Sequence, residues 1–314
     1  MHLRRTLRRV YETSPQNWLA TARARLSRLP IAQPLPRSGR SDSNLATRSE
    51  TPQARILDSA YFARRNPLVQ SLIERIRSGE PLASVLRGIP ARQYDERLLE
   101  YPVFADWLLS HKIGSDILDV GCVLNNRLVS NLLGERCGAV WFCNPSVEQV
   151  WPLTNPTFYH VADLTKAFAS GPRFPLVTCL STIEHIGYDN SQYGGDQPGQ
   201  FTDPRPETLA DACRSLIALT APSGALLITV PYGFAEALVH PVTRKIASQV
   251  FNERGLQNAV TTLRNDLVDC EYRVFQAFED GWTQVDPASC TARYADGCPA
   301  AAAVAVITAT RARS

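Results

Sequence analysis

Five short apolar runs fix what this chain can become. They are Asp116–Cys122, Gly138–Asn144, Phe158–Asp163, Pro175–Ser181 and Gly224–Val230. Each is too brief for a helix and suits a strand buried on both faces. Pro145 stops the second run and Pro231 the fifth. Helical patterns at Arg127–Gly134 and Glu207–Leu219 lie between them. Strands alternating with helices predict a parallel sheet with right-handed crossovers. The tail breaks that rhythm. Glu271–Phe278 and Trp282–Val285 flank the turn Glu279-Asp280-Gly281, and Ala301–Thr310 reads as one more buried strand. The expected fold is therefore α/β, doubly wound and Rossmann-like, finished by antiparallel strands.

The chain before the first run divides in two. From 54 to 111 the pattern is helical, with Ile56, Ala60, Leu68, Leu72 and Ile73 at amphipathic spacing. Breaks fall near Asn66-Pro67 and Gly79–Pro81. A last helix carries Leu98, Leu99, Phe104, Trp107 and Leu108, with Pro102 near its start or at a kink. Residues 1–53 form a basic arm and a linker, the linker being rich in proline and then in polar residues. The expected organisation is arm and linker 1–53, helical cap 54–111 and catalytic domain 112–314. Charge follows this division. Residues 1–60 hold eleven arginines against four acidic residues, while the remaining chain is mildly acidic, so the net charge of +3 hides a basic appendage. Leu3, Leu7, Val10 and Tyr11 fall at helical spacing among those arginines, an arrangement suited to peripheral contact with an anionic membrane surface. No aromatic-interleaved basic motif points to nucleic acid. Eight cysteines without a CxxC pair fit a reducing cytoplasm, and no apolar run approaches the ~18 residues of a membrane-spanning helix.

In a doubly wound sheet, ligands bind beyond the carboxyl ends of the strands. Those ends carry Asp119 with the turn Gly121-Cys122, then Asn144, then Asp163, then Ser181-Thr182-Ile183-Glu184-His185. The first turn has one glycine, so it matches neither GxGxxG nor a Walker A loop, and a nicotinamide enzyme is not indicated. An acidic strand end suits a cationic ligand. His185 is the candidate base because histidine titrates near neutral pH, and Glu184 beside it is a second candidate catalytic group. Asp189, Asp196 and His185 match no fixed metal spacing, so no metal is expected. The loop 187–204 follows the fourth strand, a position suited to a lid over an acceptor.

Taken in order, Ile117–Cys122, Ala162-Asp163-Leu164, Leu180–His185 and Leu226–Pro231 resemble the motifs of class I S-adenosylmethionine-dependent methyltransferases. The resemblance covers residues 94–310. Glu100-Tyr101-Pro102 and the loop Gly187–Gly195 are similar to a bacterial subgroup linked to glycan biosynthesis. It implies S-adenosylmethionine as cofactor. It implies that Asp119, Gly121 and Cys122 lie against the methionine part, and that Asp163 and Leu164 hold the adenine. Ser181 would border donor and acceptor. The second strand of such enzymes ends in a carboxylate for the ribose hydroxyls, whereas this chain has Asn144 there. The implied reaction is methyl transfer to a hydroxyl or amine of a small-molecule or glycan acceptor. The competing reading is a non-catalytic binding or scaffold protein that keeps the fold, favoured by Cys122-Val123-Leu124-Asn125 and by Asn144. The sequence does not indicate an oligomeric state.

Overall fold

The computed structural model describes residues 31–33, 58–146, 148–161, 164, 172–188, 206–239, 244–264 and 267–313. Its main sheet has eight strands. In chain order they are β2 (Ser115–Val120), β3 (Cys137–Asn144), β4 (Thr157–Val161), β5 (Phe174–Leu180), β6 (Thr220–Pro231), β9 (Leu267–Phe278), β10 (Gly281–Val285) and β11 (Ala303–Arg311). Across the sheet they lie β10-β9-β11-β6-β5-β2-β3-β4. Strands β2 to β6 pair in parallel, and β11 inserts antiparallel between β6 and β9. This is the strand order, with its one reversed inner strand, of the Rossmann-like methyltransferase fold.

The strand order reverses between β2 and β5. From β2 the chain winds outward through β3 and β4, then returns to β5 on the other side. The carboxyl ends of β2 and β5 therefore flank a crevice. Pairing of Asp119 with Thr178 across these two strands sets the side-chain chemistry there.

Helices cover both faces. On one lie α1 (Ser59–Arg77), the single turn α2 (Leu82–Val85), α3 (Arg97–Leu109) and α4 (Arg127–Arg136). On the other lie α5 (Pro206–Leu219) and α6 (Glu253–Arg264). Each set packs on the sheet through its own apolar cluster. Asp58 starts α1 by accepting the Tyr61 N–H, and Asn126 starts α4 by accepting the Leu128 N–H, as helix N-caps do. Pro102 lies inside α3.

A second, three-stranded sheet joins β1 (Ile31–Gln33) to the hairpin of β7 (Glu236–Val239) and β8 (Ile246–Val250). The segment 30–53 reads as a linker in sequence, yet Ile31–Gln33 pairs antiparallel with Ala237–Val239. A three-residue strand between Pro30 and Pro34 gives no periodicity to read, and proline beside it is compatible with a sheet edge. The basic residues 1–30 and Asp163 lie outside the described residues. No helix among the described residues is long and apolar enough to cross a membrane.

Leu99 on α3 is fully buried and Ile113, just before β2, is 62% exposed. Leu99→Ala is expected to lower unfolding stability by about 2–5 kcal/mol. Ile113→Ala should stay within about 0.5 kcal/mol of wild type. Chemical denaturation of the two variants checks the difference.

Candidate functional site

The turn after β2 is built from its own polar groups. Asp119 is fully buried. One carboxylate oxygen accepts the Leu124 N–H at 2.7 Å and the other accepts the Thr178 hydroxyl at 2.9 Å. Burial pushes its carboxyl up to about 7, although both hydrogen bonds favour the charged form. Gly121 is left-handed at φ +93°, and a Cβ there would lie 2.0 Å from Thr182 Oγ1. Only glycine meets both conditions. Cys122 is also left-handed, at φ 58°, and buried. Its thiol lies 3.7 Å from the Tyr159 hydroxyl, and burial drives its pKa far up, so it is no thiolate nucleophile.

At the end of β3, the Asn144 side-chain amide donates to Glu148 Oε1 at 2.9 Å and to Ser146 Oγ at 3.3 Å. The segment is held by Tyr159, which donates to the Ser146 carbonyl and accepts the Glu148 N–H. A carboxylate therefore does stand at this strand end, four residues beyond Asn144. Sequence reasoning looked for it in the strand itself. The turn at Pro145 brings it back.

The end of β5 is locked from a distance. Ser181 is left-handed at φ 37°. Its N–H donates to the Thr229 carbonyl and hydroxyl, both at 3.0 Å, and its hydroxyl donates to Glu100 at 2.6 Å. Glu100, fully buried on α3, also accepts from Thr229 and pairs with Arg97. Thr182 turns back to donate to the Leu180 carbonyl. Glu100 is the residue that sequence reasoning left without a role of its own. A single carboxylate inside the apolar stretch Leu98–Phe104 is the signal, because a buried charge must have partners.

Glu184 and His185 sit on the 3₁₀ turn Ile183–His185 that follows. Glu184 is 2% exposed, and its Oε2 has no hydrogen-bond partner among the described residues. Burial raises its carboxyl to about 8. His185 Nδ1 lies 2.9 Å from the Ala247 carbonyl on β8. A carbonyl only accepts, so Nδ1 carries the hydrogen. Burial pushes the imidazole down to about 4, and the Arg97 charge adds to the effect. Nε2 stands 3.9 Å from Glu184 Oε1. The ring is thus neutral at pH 7 and weakly basic.

The structure gathers Asp119, Gly121, Cys122, Ser181, Thr182, Glu184 and His185 at the β2–β5 crevice, with Asn144 and Glu148 one strand away. Leu164 is buried in the apolar cluster on the α5–α6 side of the sheet. Among the described residues, no group of three His, Cys, Asp or Glu side chains stands where it could hold a metal ion.

No protein-family profile matches the chain, and no curated protein matches it. Solved structures resemble it in shape. The N-methyltransferase NodS from Bradyrhizobium japonicum, solved with S-adenosyl-L-homocysteine, is 12% identical with TM-score 0.42, over 78% of this chain and 98% of that one. The Burkholderia thailandensis 1,6-didemethyltoxoflavin-N1-methyltransferase, solved with S-adenosylhomocysteine and its 1,6-didemethyltoxoflavin ligand, is 13% identical with TM-score 0.43, over 90% and 100%. A SAM-dependent methyltransferase from Methanosarcina mazei is 10% identical with TM-score 0.42, over 68% and 99%. The fold assignment rests on the strand order itself.

Three variants check the site. Gly121→Ala should cost about 1–3 kcal/mol from its φ alone, with the Thr182 clash adding to it. Thr182→Ala should recover only part of the clash, because its Cβ would still lie 2.7 Å away, and a double-mutant cycle by denaturant titration measures that part. For Glu184 the sign is fixed by its raised folded-state pKa. Its contribution to stability is fully present below its ordinary value of 4.5 and is lost as pH rises through about 8. The stability of wild type relative to Glu184→Gln should therefore fall between pH 5 and pH 8, by at most about 1.4 kcal/mol per pH unit. His185 titrates in both proteins and cancels in the difference. Thermal melts of both proteins across this range give the slope.

Proposed function

We propose that this protein is an S-adenosylmethionine-dependent methyltransferase acting on a hydroxyl or amine of a small-molecule or glycan acceptor. The observation that carries the reading is the β4-β3-β2-β5-β6-β11-β9 order with polar side chains collected at the β2, β3 and β5 ends. Fold alone does not define activity. The added support is chemical. The crevice presents the half-buried carboxyl group of Glu148, which suits a cationic sulfonium donor. The Asn144–Glu148 pair offers an amide and a carboxylate where the family places its ribose ligand. A carboxylate accepting a ribose hydroxyl makes a charge-assisted hydrogen bond, stronger than the amide alone. When bound, the donor supplies an already activated methyl group.

The protein's own task is then alignment and proton handling. Glu100 holds the Ser181 turn, and Asp119 holds the Gly121–Leu124 turn, so both edges of the crevice are pre-set. His185 is neutral, with its hydrogen on Nδ1, and so takes a proton at Nε2. Its low basicity favours a neutral amine acceptor within the proposed class. An oxygen nucleophile needs a stronger base during transfer.

A non-catalytic binding role has one observation in its favour. The Asp119 carboxylate is spent inside the turn, and Thr182 packs onto Gly121, as in a loop that serves only the fold. Calorimetry with S-adenosylmethionine and S-adenosylhomocysteine separates the two readings. The enzyme reading expects saturable binding of both, weakened about tenfold or more by Glu148→Gln, the loss of one charge-assisted hydrogen bond. A folded sample that takes up neither compound leaves the non-catalytic role standing.

A further inference from the structure

Residues 1–30 hold seven arginines, no lysine and a single acidic residue, Glu12. Leu3, Leu7 and Tyr11 stand four positions apart, and so do Trp18, Ala22 and Leu26. On helical spacing each set shares one face, with arginines beside it. Basic residues joined to an apolar stripe fit the boundary between anionic headgroups and acyl chains. A nucleic acid would use the charge and leave the stripe without a purpose.

The structure shows where this segment joins the body. Ile31, the first residue of β1, pairs with Val239 of β7, and Val239 pairs with Ile246 of β8. The three form one row across the small sheet, so Ile31 stands about 10 Å from Ile246, two strand spacings away. Ala247 follows Ile246, and its carbonyl meets His185 Nδ1 at 2.9 Å. The basic segment therefore meets the body at the end of the small sheet that touches the His185 turn. Val268 marks the opposite end of the main sheet. It pairs with Thr310, Thr310 pairs with Ala225, and Ala225 pairs with Leu176 near the amino end of β5.

We propose that residues 1–30 bind an anionic lipid surface and hold the small-sheet side of the crevice toward it. Guanidinium groups match headgroup phosphates with paired hydrogen bonds. Tyr11 and Trp18 are of the residue types that settle at a membrane–water boundary, one end apolar and the other wet. The chain beyond residue 60 is mildly acidic and gains no attraction of its own to such a surface. The place where the basic segment joins the body thus decides which side of the molecule faces the lipid.

The test uses the full chain and lipid vesicles, and is independent of any methyl transfer. Cosedimentation is expected with phosphatidylcholine vesicles holding about 30% phosphatidylglycerol, and at least ~10-fold weaker with phosphatidylcholine alone. Raising the salt from about 0.1 M to about 0.5 M should weaken binding ~10-fold or more. Replacing Arg4, Arg5, Arg8 and Arg9 together by Gln should have a similar effect. Leu7→Gln combined with Trp18→Gln keeps the charge and should still weaken binding by ~10-fold. All variants should melt as wild type does. Orientation is read by fluorescence in a Cys290→Ser background, since Cys290 is the one cysteine that is not buried. A fluorophore is attached at Lys245→Cys, beside Ile246, or at Val268→Cys, both exposed positions. Nitroxide-bearing headgroups should quench the first and spare the second. Absence of a preference for anionic vesicles overturns the proposal. So does binding that the Leu7 and Trp18 substitutions leave unchanged, the behaviour of a segment built for nucleic acid. Equal quenching at the two positions overturns the orientation.

Discussion

The buried carboxylate of Glu100 ties the helical layer to the sheet. It is fully enclosed, and it receives Arg97 from its own helix, the Ser181 hydroxyl from the end of β5 and the Thr229 hydroxyl from β6. A charge removed from water is tolerated only with such a set of partners, and loss of one partner leaves the others stranded. The consequence reaches Ser181. Its left-handed backbone is unfavourable for a residue with a Cβ and persists because the surroundings over-determine it. A second contact of α3 acts in the same sense. The Tyr101 hydroxyl donates to the Val123 carbonyl, in the turn after β2. One helix thus fixes both rims of the crevice. Residues 97–101 are part of the site's architecture.

Burial also sets the electrostatics. Asp119 and Glu184 are both raised toward neutrality because low-polarity surroundings penalise the ionised form, and His185 is lowered for the same reason. All three therefore move toward the uncharged state around pH 7. Glu148 is more exposed than either of these two carboxyl groups, being half-buried.

Much of this was legible in the sequence. The five apolar runs became β2 to β6 within a few residues at each end, and the Glu279–Gly281 turn became the β9–β10 hairpin. Buried parallel strands announce themselves because both faces must be apolar. The small sheet was not legible. β7 and β8 are short, and β1 lies between prolines, so none has room for a period. Helix α6 did carry a signal, since Leu256, Ala259, Val260 and Leu263 follow the i, i+3, i+4, i+7 spacing and are all buried. At the site, strand position alone marked Asp119, Asn144 and Ser181. It gave no hint of Glu100, whose partners lie 81 and 129 residues away.

The Asn144–Glu148 pair shows why position in a strand is an incomplete guide to chemistry. A strand end requires only that some group with the right atoms reach the right place. Here Asn144 occupies the place, and Glu148 reaches it through a turn fixed by Tyr159. The amide N–H donates to the carboxylate, so the two side chains hold each other. Replacing a lone carboxylate with such a pair preserves an anionic acceptor while moving its origin off the strand. At this strand end the carboxylate therefore comes from the turn that follows the strand, four residues beyond its last position.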